Sequence, residues 1–137
     1  MMLYARYTAE QISRSDALHL ASGGFCFLVV EILLEMFPGA KVVRLTDKEG
    51  NRFVHVYVSV DGQRIDIKGR RSLKEIQEDY PDDPSLEEEV NAATVREFFY
   101  KDYSEPQLAA ARIVLRTHIE QNITRYTLQP QIAPINA

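Results

Sequence analysis

Apolar residues are most concentrated between Phe25 and Phe37, where the pattern predicts a central, buried helix. Glu31 and Glu35 are the charged exceptions, and a helix that is apolar nearly all round is normally enclosed by other elements. Gly23-Gly24 precedes this stretch and Pro38-Gly39 follows it, and both pairs are turn signals. We therefore expect a helix that begins close to a glycine pair and ends at Phe37.

The segment after this helix predicts a small antiparallel sheet of about three strands. Residues 40–45 form the first candidate strand, and residues 53–60 are dense in β-branched and aromatic side chains. Asp61-Gly62 is a pair favoured in two-residue type I′ hairpin turns, and residues 63–68 alternate between polar and apolar as a returning strand. A hairpin of 53–60 with 63–68 is the predicted centre of the sheet.

The hairpin turn fixes which side chains share a face of the sheet. With Asp61-Gly62 as the loop, His55, Tyr57 and Asp66 fall on one face. His55 and Asp66 are then diagonal neighbours with Cβ atoms roughly 6–8 Å apart, which is within side-chain hydrogen-bonding reach. The opposite face is predicted to carry the apolar set Val54, Val56, Val58, Ile65 and Ile67.

Hydroxyl residues followed three positions later by Gln or Glu predict the starts of further helices. The helices expected on this and on related signals cover residues 8–20, 72–79, 85–100 and 107–122. Together with the hairpin they predict an α+β fold in one domain, 1–137. Its predicted parts are a core at 22–69, a helical C-terminal part at 72–124 and an irregular tail at 125–137.

Composition narrows the class of protein. The chain has 137 residues, a net charge of -4, one Cys and three His. This charge argues against nucleic acid as a partner, and the Cys and His inventory favours neither an internal disulfide nor a metal site. The apolar run 25–34 is too short to span a bilayer, and the N-terminus lacks the features of a signal peptide. We expect a cytoplasmic protein that neither binds a membrane nor requires a cofactor. The alternative location is outside the cell, after secretion without a cleaved signal.

Cys26 is the candidate nucleophile because it lies where the central helix begins. A thiol attacks as the thiolate, which unpaired N–H groups at a helix N-terminus favour. His55 is the candidate base and Asp66 the candidate group that orients it. The alternative for each residue is structural: Cys26 as a small core residue, His55 as an ordinary core or surface histidine, and Asp66 as a solvent-facing partner of Lys68.

Several weaker candidates surround these three residues. The backbone N–H of Cys26 could supply one hydrogen bond to an oxyanion, and Gly24, Ser22 or His19 could supply another. Tyr57 could donate a hydrogen bond to the site or simply pack. The basic residues Lys68, Arg70 and Arg71 could bind an anion or form a solvated strand end.

The order of these motifs resembles the papain-like cysteine enzyme superfamily, in particular transglutaminase-like proteins and arylamine N-acetyltransferases. The resemblance lies in Gly24-Phe25-Cys26-Phe27 opening a helix, His55-Val56-Tyr57-Val58 on a strand, and Asp61 to Gly69 on the next strand. It covers residues 22–69 and implies an acyl-enzyme mechanism for Cys26, His55 and Asp66. The chain is much smaller than an acetyltransferase, which argues against acyl transfer from a coenzyme A thioester. It also lacks the Trp of many transglutaminase-like sites, so Phe25, Phe27 and Tyr57 would have to replace it, and Leu20 stands where a papain-like enzyme has a Gln as oxyanion donor.

The expected function is thiol-dependent cleavage or transfer of an acyl group, above all hydrolysis of an amide or peptide bond. The partners would be a peptide, a protein or a small amide-containing substrate, with the oligomeric state left open. The alternative is a non-catalytic binding module, such as a phage accessory, immunity or adaptor protein, on a degenerate copy of the same fold.

Overall fold

The computed structural model describes residues 4–50, 52–81 and 85–128, in which helices flank a five-stranded antiparallel sheet. This confirms the predicted α+β class with a Cys-bearing helix. The elements in chain order are α1 (Ala9–Ser13), α2 (Ala17–Leu20), a π-helical turn (Ala21–Phe25), α3 (Cys26–Met36), β1 (Lys41–Asp47), β2 (Phe53–Val60), β3 (Gln63–Asp66), β4 (Gly69–Arg71), α4 (Leu73–Glu78), β5 (Ser85–Val90), α5 (Ala92–Tyr100), α6 (Glu105–Gln121) and a 3₁₀ turn (Ile123–Arg125).

Helix α3 is buried at the centre of the larger hydrophobic core, as its apolar pattern predicts. Phe27, Leu28 and Leu33 are fully buried, and the helix packs against β2, α5 and α6. Its charged exception, Glu31, accepts hydrogen bonds from Tyr100 Oη at 2.5 Å and from Arg112 Nη2 at 2.9 Å. Glu31 thus ties α3 to α5 and α6, and Glu35 adds an ion pair with Arg116 on α6 at 2.8 Å.

The helical stretch Ala17–Met36 is longer than the apolar run identified in the sequence. By length and composition alone it could cross a membrane, a criterion that buried core helices of globular proteins also meet. Just over half of its most apolar window is buried inside the fold. Within this structure the stretch therefore serves as the core around which the other elements pack.

The strands are arranged in the order β4-β3-β2-β1-β5. The β2–β3 hairpin has the predicted register, with Val58 opposite Ile65 and Val60 opposite Gln63. Asp61 and Gly62 both have positive φ, 49° and 78°, as a type I′ turn requires. The alternation of faces follows, because Val56, Val58, Ile65 and Ile67 join the core around α3 while Tyr57 belongs to a second cluster on the other face.

Val54 is on the opposite face from the one predicted. The β1–β2 register places Leu45 opposite His55 but Thr46 opposite Phe53, so Val54 is an extra, bulged residue. A bulge reverses the alternation of side chains beyond it. Val54 consequently packs on the cluster that contains Tyr57, and Phe53 takes its place against the α3 core.

The predicted helix 85–100 is wrong in its first half, where the structure has strand β5 followed by α5. Strand β5 pairs with β1, and its three successive glutamates each meet a cation on the sheet: Glu87 with Arg64, Glu88 with Arg44 and Glu89 with Lys41. Glutamates in a first helical turn and glutamates on an edge strand look alike in sequence. The cross-strand cations, which lie far away along the chain, decide the outcome here.

Three other boundaries differ from the prediction. The helix expected at 8–20 divides into α1 and α2, because Asp16 caps a new helix through a hydrogen bond from His19 N. The strand expected at 63–68 ends at Asp66, and Gly69 opens β4 instead of ending the sheet. The tail expected at 125–137 is described up to residue 128 and includes the fully buried Tyr126; residues 129–137 lie outside the described part.

The C-terminal segment clasps the turn between β3 and β4. Tyr126 Oη donates a hydrogen bond to the carbonyl of Ile67, and Arg70 Nη1 donates to the carbonyl of Thr127 at 2.5 Å. Gly69 has φ 98°, and a Cβ there would lie 2.7 Å from the carbonyl oxygen of Arg125. Only a glycine fits at this close approach.

We expect Gly69→Ala to lower the free energy of unfolding by about 2–3 kcal/mol, because it combines an unfavourable positive φ with a backbone clash. Urea denaturation of the wild type and the variant measures the loss. Gly39→Ala is the matched control, since a Cβ at Gly39 meets nothing within 4 Å. Equal effects of the two substitutions would contradict the proposed clasp.

Candidate active site

The structure places Cys26 at the first position of α3, directly after the π-helical turn. Gly24 within that turn has φ 123°, a conformation that disfavours every residue with a Cβ. Its carbonyl accepts a hydrogen bond from Tyr103 Oη at 3.3 Å. The side chain of Cys26 is partly exposed. The glycine pair therefore bends the chain so that the sulfur reaches the surface of a helix that is otherwise buried.

His55 and Asp66 lie together in the interior, as the hairpin register predicts. His55 Nε2 is 3.1 Å from Asp66 Oδ2, and the two residues are 8% and 2% exposed. Asp66 also accepts hydrogen bonds from the Lys68 backbone N–H at 2.9 Å and from Arg71 Nη1 at 3.1 Å. Asp66 is thus a buried carboxylate with three partners, and the alternative of a solvent-facing Asp66 paired with the Lys68 side chain is wrong.

These contacts raise the pKa of His55 and lower the pKa of Asp66. Burial by itself lowers the pKa of His55, but hydrogen bonds with Asp66 and with Cys26, and their negative charges, raise it to about 9. Burial raises the pKa of Asp66, but the hydrogen bond with His55 and the charges of His55 and Arg71 outweigh it and lower that pKa. At neutral pH the site contains an imidazolium held against a carboxylate.

The bond to Asp66 also defines the role of each ring nitrogen. An ionised carboxylate only accepts, so Nε2 keeps its hydrogen whether or not the ring is charged. The remaining nitrogen, Nδ1, is the one that can gain or lose a proton toward Cys26, whose hydrogen-bonding interaction contributes to the raised pKa of His55. A histidine that exchanges a proton with a thiol needs one ring nitrogen left for this purpose, and Nδ1 is that nitrogen here.

Two clefts meet beside this pair. The larger, about 780 Å³, exposes Cys26 and His55 and is otherwise lined by Ala21, Ser22, Gly24, Arg44, Arg52, Phe53, Val54, Tyr80, Thr94, Glu97, Phe98 and Phe99. The smaller, about 390 Å³, contains His55 and Asp66 but not Cys26, and is otherwise lined by Asp16, Leu18, His19, Ala21, Ser22, Ile67, Lys68, Asp79 and Tyr80. A molecule in the larger cleft therefore has direct access to the sulfur.

The weaker candidates are distributed unevenly around the clefts. Gly24 lines the larger cleft and His19 the smaller, while Ser22 lines both and donates its hydroxyl hydrogen to the carbonyl of His19 at 3.3 Å. Tyr57 is fully buried, and its hydroxyl donates to Glu87 Oε1 at 2.6 Å. Tyr57 packs on the ring of His55 but presents no group to either cleft.

The basic residues after β3 have structural partners. Arg71 bridges Asp66 and Asp79, with Nη1 2.6 Å from Asp79 Oδ2, and Lys68 pairs with the same Asp79 at 3.2 Å. Arg70 donates to the carbonyl of Thr127. These contacts hold Asp66 and the C-terminal segment in place and favour a structural role over an anion site.

Tyr80 is a site residue that the sequence analysis missed. It follows α4, lies with its ring centroid 5.6 Å from that of His55, and lines both clefts. The only local signal was the Pro81 that follows it, which indicates a loop but does not show which face of the sheet the loop covers. Contact with His55 depends on the packing of α4 against the rest of the fold.

Comparison with known proteins gives no relative to guide an assignment. No protein-family model, curated protein or solved structure matches the chain. Within residues 4–50, 52–81 and 85–128, no three His, Cys, Asp or Glu side chains are placed to hold a metal ion. The chemistry of the site therefore has to follow from Cys26, His55, Asp66 and their surroundings.

We expect the free energy of unfolding of the wild type to fall as the pH rises from 6 to 10, relative to a His55→Gln variant. The folded protein keeps the His55 proton up to a pKa of about 9, whereas the unfolded chain releases it near the ordinary value of 6.5. The resulting stabilisation is complete below pH 6.5 and is lost through pH 9, by up to about 3 kcal/mol.

Urea denaturation at half-unit pH steps measures this difference in the free energy of unfolding. The contributions of titrating groups far from His55 are the same in both proteins and cancel in the difference. Parallel stability curves for wild type and His55→Gln across the range would show that the buried ring carries no extra proton.

Proposed function

We propose that this protein is a thiol-dependent acyl hydrolase that cleaves an amide or peptide bond through Cys26, His55 and Asp66. The observation that carries the proposal is the position of His55, which interacts with Asp66 on one side and with Cys26 on the other at the wall of an open cleft. A buried structural histidine needs no such cleft, and a core cysteine needs no neighbouring imidazolium.

In the first half-reaction the Cys26 thiolate attacks the substrate carbonyl carbon. A C–S bond forms, and the carbonyl π electrons move to oxygen to give a tetrahedral oxyanion. The oxyanion then re-forms the carbonyl, the C–N bond breaks, and His55 gives its Nδ1 proton to the leaving amine. The products of this step are a free amine, a thioester on Cys26 and a neutral His55.

In the second half-reaction water attacks the thioester while His55 Nδ1 takes a proton from it. The C–S bond breaks, which releases a carboxylic acid and returns the thiolate and imidazolium to their starting state. Asp66 remains ionised throughout and keeps the ring oriented through the Nε2 hydrogen bond. The same thioester would pass its acyl group to an amine in place of water if the enzyme were a transferase.

The larger cleft supports a peptide, a protein segment or a small amide as substrate. Its lining includes Phe53 and Phe98, whose ring centroids are 4.7 Å apart, and Phe98 is 43% exposed. Arg44 and Glu97 provide charges of both signs along the same walls. An extended chain with apolar side chains would cover the rings while its amides met the polar groups. We place this activity in a reducing compartment such as the cytoplasm, where a partly exposed thiol stays reduced.

We expect iodoacetamide to alkylate Cys26 at pH 7 at least tenfold faster in the wild type than in a His55→Ala variant. His55 is the proposed proton acceptor for the thiol, so its removal takes away the base that activates the sulfur. Mass spectrometry of quenched samples gives the rate, and Cys26 is the one cysteine in the chain. His118→Gln is the matched control, because His118 lies on α6 and lines neither of the two clefts.

Alkylation that is equally slow in all three proteins would contradict the proposal and favour the alternative of a non-catalytic binding module. Turnover is tested separately by a burst of p-nitrophenol from p-nitrophenyl acetate. We expect a burst equal to the protein concentration in the wild type and none with Cys26→Ala. Release of product only when an amine acceptor is added would identify a transferase.

A further inference from the structure

Attack by a thiolate creates a negative charge on the substrate oxygen, and the site needs hydrogen-bond donors for that charge. Enzymes of this chemical type gain a large part of their rate from such donors, and loss of one typically costs 10²- to 10³-fold in kcat. The backbone N–H of Cys26, at the start of α3, can supply one donor, and a second one must come from a group that reaches the larger cleft.

Most polar groups around the sulfur are already engaged. Tyr103 Oη donates to the carbonyl of Gly24, and Ser22 Oγ donates to the carbonyl of His19. Tyr57 Oη donates to Glu87 and lies outside both clefts. His19 lines only the cleft from which Cys26 is absent. None of these four side chains offers a donor beside the sulfur without first breaking a bond or moving between clefts.

Tyr80 differs from them in position. It lines the larger cleft together with Cys26 and His55, and it also borders the smaller cleft, so it lies where the two meet. One side of its ring packs on the buried cluster of Val43, Leu45, Tyr57 and Ile76, and its centroid is 5.6 Å from that of His55. The ring is thus held in place by the same face of the sheet that holds the imidazole.

The hydroxyl of Tyr80 has no hydrogen-bond partner among the residues that the structure describes. Burial raises the pKa of this hydroxyl, and negative charge at Cys26 and at Asp66 raises it further. The phenol therefore keeps its hydrogen at neutral pH and can act as a donor. Tyr80 is only partly buried, so its hydroxyl, which lacks a partner among the described residues, can donate to a carbonyl oxygen that enters the cleft.

We infer that the Tyr80 hydroxyl donates a hydrogen bond to the oxygen of the acyl group under attack by Cys26. This inference rests on the proposed acyl hydrolase function and adds a residue that contacts the substrate. In the tetrahedral intermediate the phenol O–H donates to the oxyanion without transferring its proton. As the C–N bond breaks the charge returns to the carbonyl, and the hydrogen bond weakens. Tyr80 is unchanged at the end of each half-reaction.

The test compares two reactions of the same thiolate in a Tyr80→Phe variant. Acylation by p-nitrophenyl acetate passes through an oxyanion, whereas alkylation by iodoacetamide is a direct displacement at carbon and does not. We expect Tyr80→Phe to slow acylation by 10- to 100-fold and to change alkylation less than twofold. The phenyl ring retains the packing on His55, and the alkylation rate reports in the same sample that the site remains folded.

Tyr7→Phe is the matched control, because Tyr7 is 39% exposed, packs on Tyr4 and lines neither of the two clefts. It should leave both rates within twofold of the wild type. If Tyr80→Phe slows both reactions equally, Tyr80 acts only by positioning His55 and the inference is overturned. If it slows neither, the inference also fails while the proposed function stands. A wild-type Cys26 that reacts with neither reagent would overturn both.

Discussion

The structure depends on the hydrogen bonds that one buried carboxylate, Asp66, accepts. Asp66 is 2% exposed, and its three hydrogen bonds come from His55 on β2, from the turn after β3 and from Arg71 on β4. An ionised group removed from water to this extent is tolerated only if it is paired and hydrogen-bonded. The central hairpin, the tight turn and the short fourth strand must therefore all form before Asp66 is stable in its place.

The same requirement organises the surroundings of the sulfur. Arg71 contacts Asp79 as well as Asp66, so the end of α4 is fixed to the sheet, and the next residue, Tyr80, comes to lie beside His55. On the opposite side, the glycine-containing π turn bends the chain so that Cys26 emerges from the core. A few contacts thus determine the packing, the charges and the exposure of the thiol together. Stability alone does not require this combination, which is typical of a functional site.

The parts of the fold that follow from local signals were predictable from the sequence. The hairpin, its turn and the shared face of His55 and Asp66 come from a two-residue loop with one favoured geometry. Strand β5 was missed because its glutamates are stabilised by distant cations, and the bulge at Val54 was missed because it depends on pairing with β1. Tyr80 could not be assigned to the site because its contact with His55 is purely tertiary.

The clasp of the β3–β4 turn by the C-terminal segment has a consequence for biosynthesis. Tyr126 bonds to the carbonyl of Ile67 across 59 positions of the chain, and Thr127 bonds to Arg70 across 57. On the ribosome Cys26, His55 and Asp66 are synthesised long before these contacts can form. The turn that follows Asp66 therefore gains its last hydrogen bonds only after residues 126 and 127 have been synthesised.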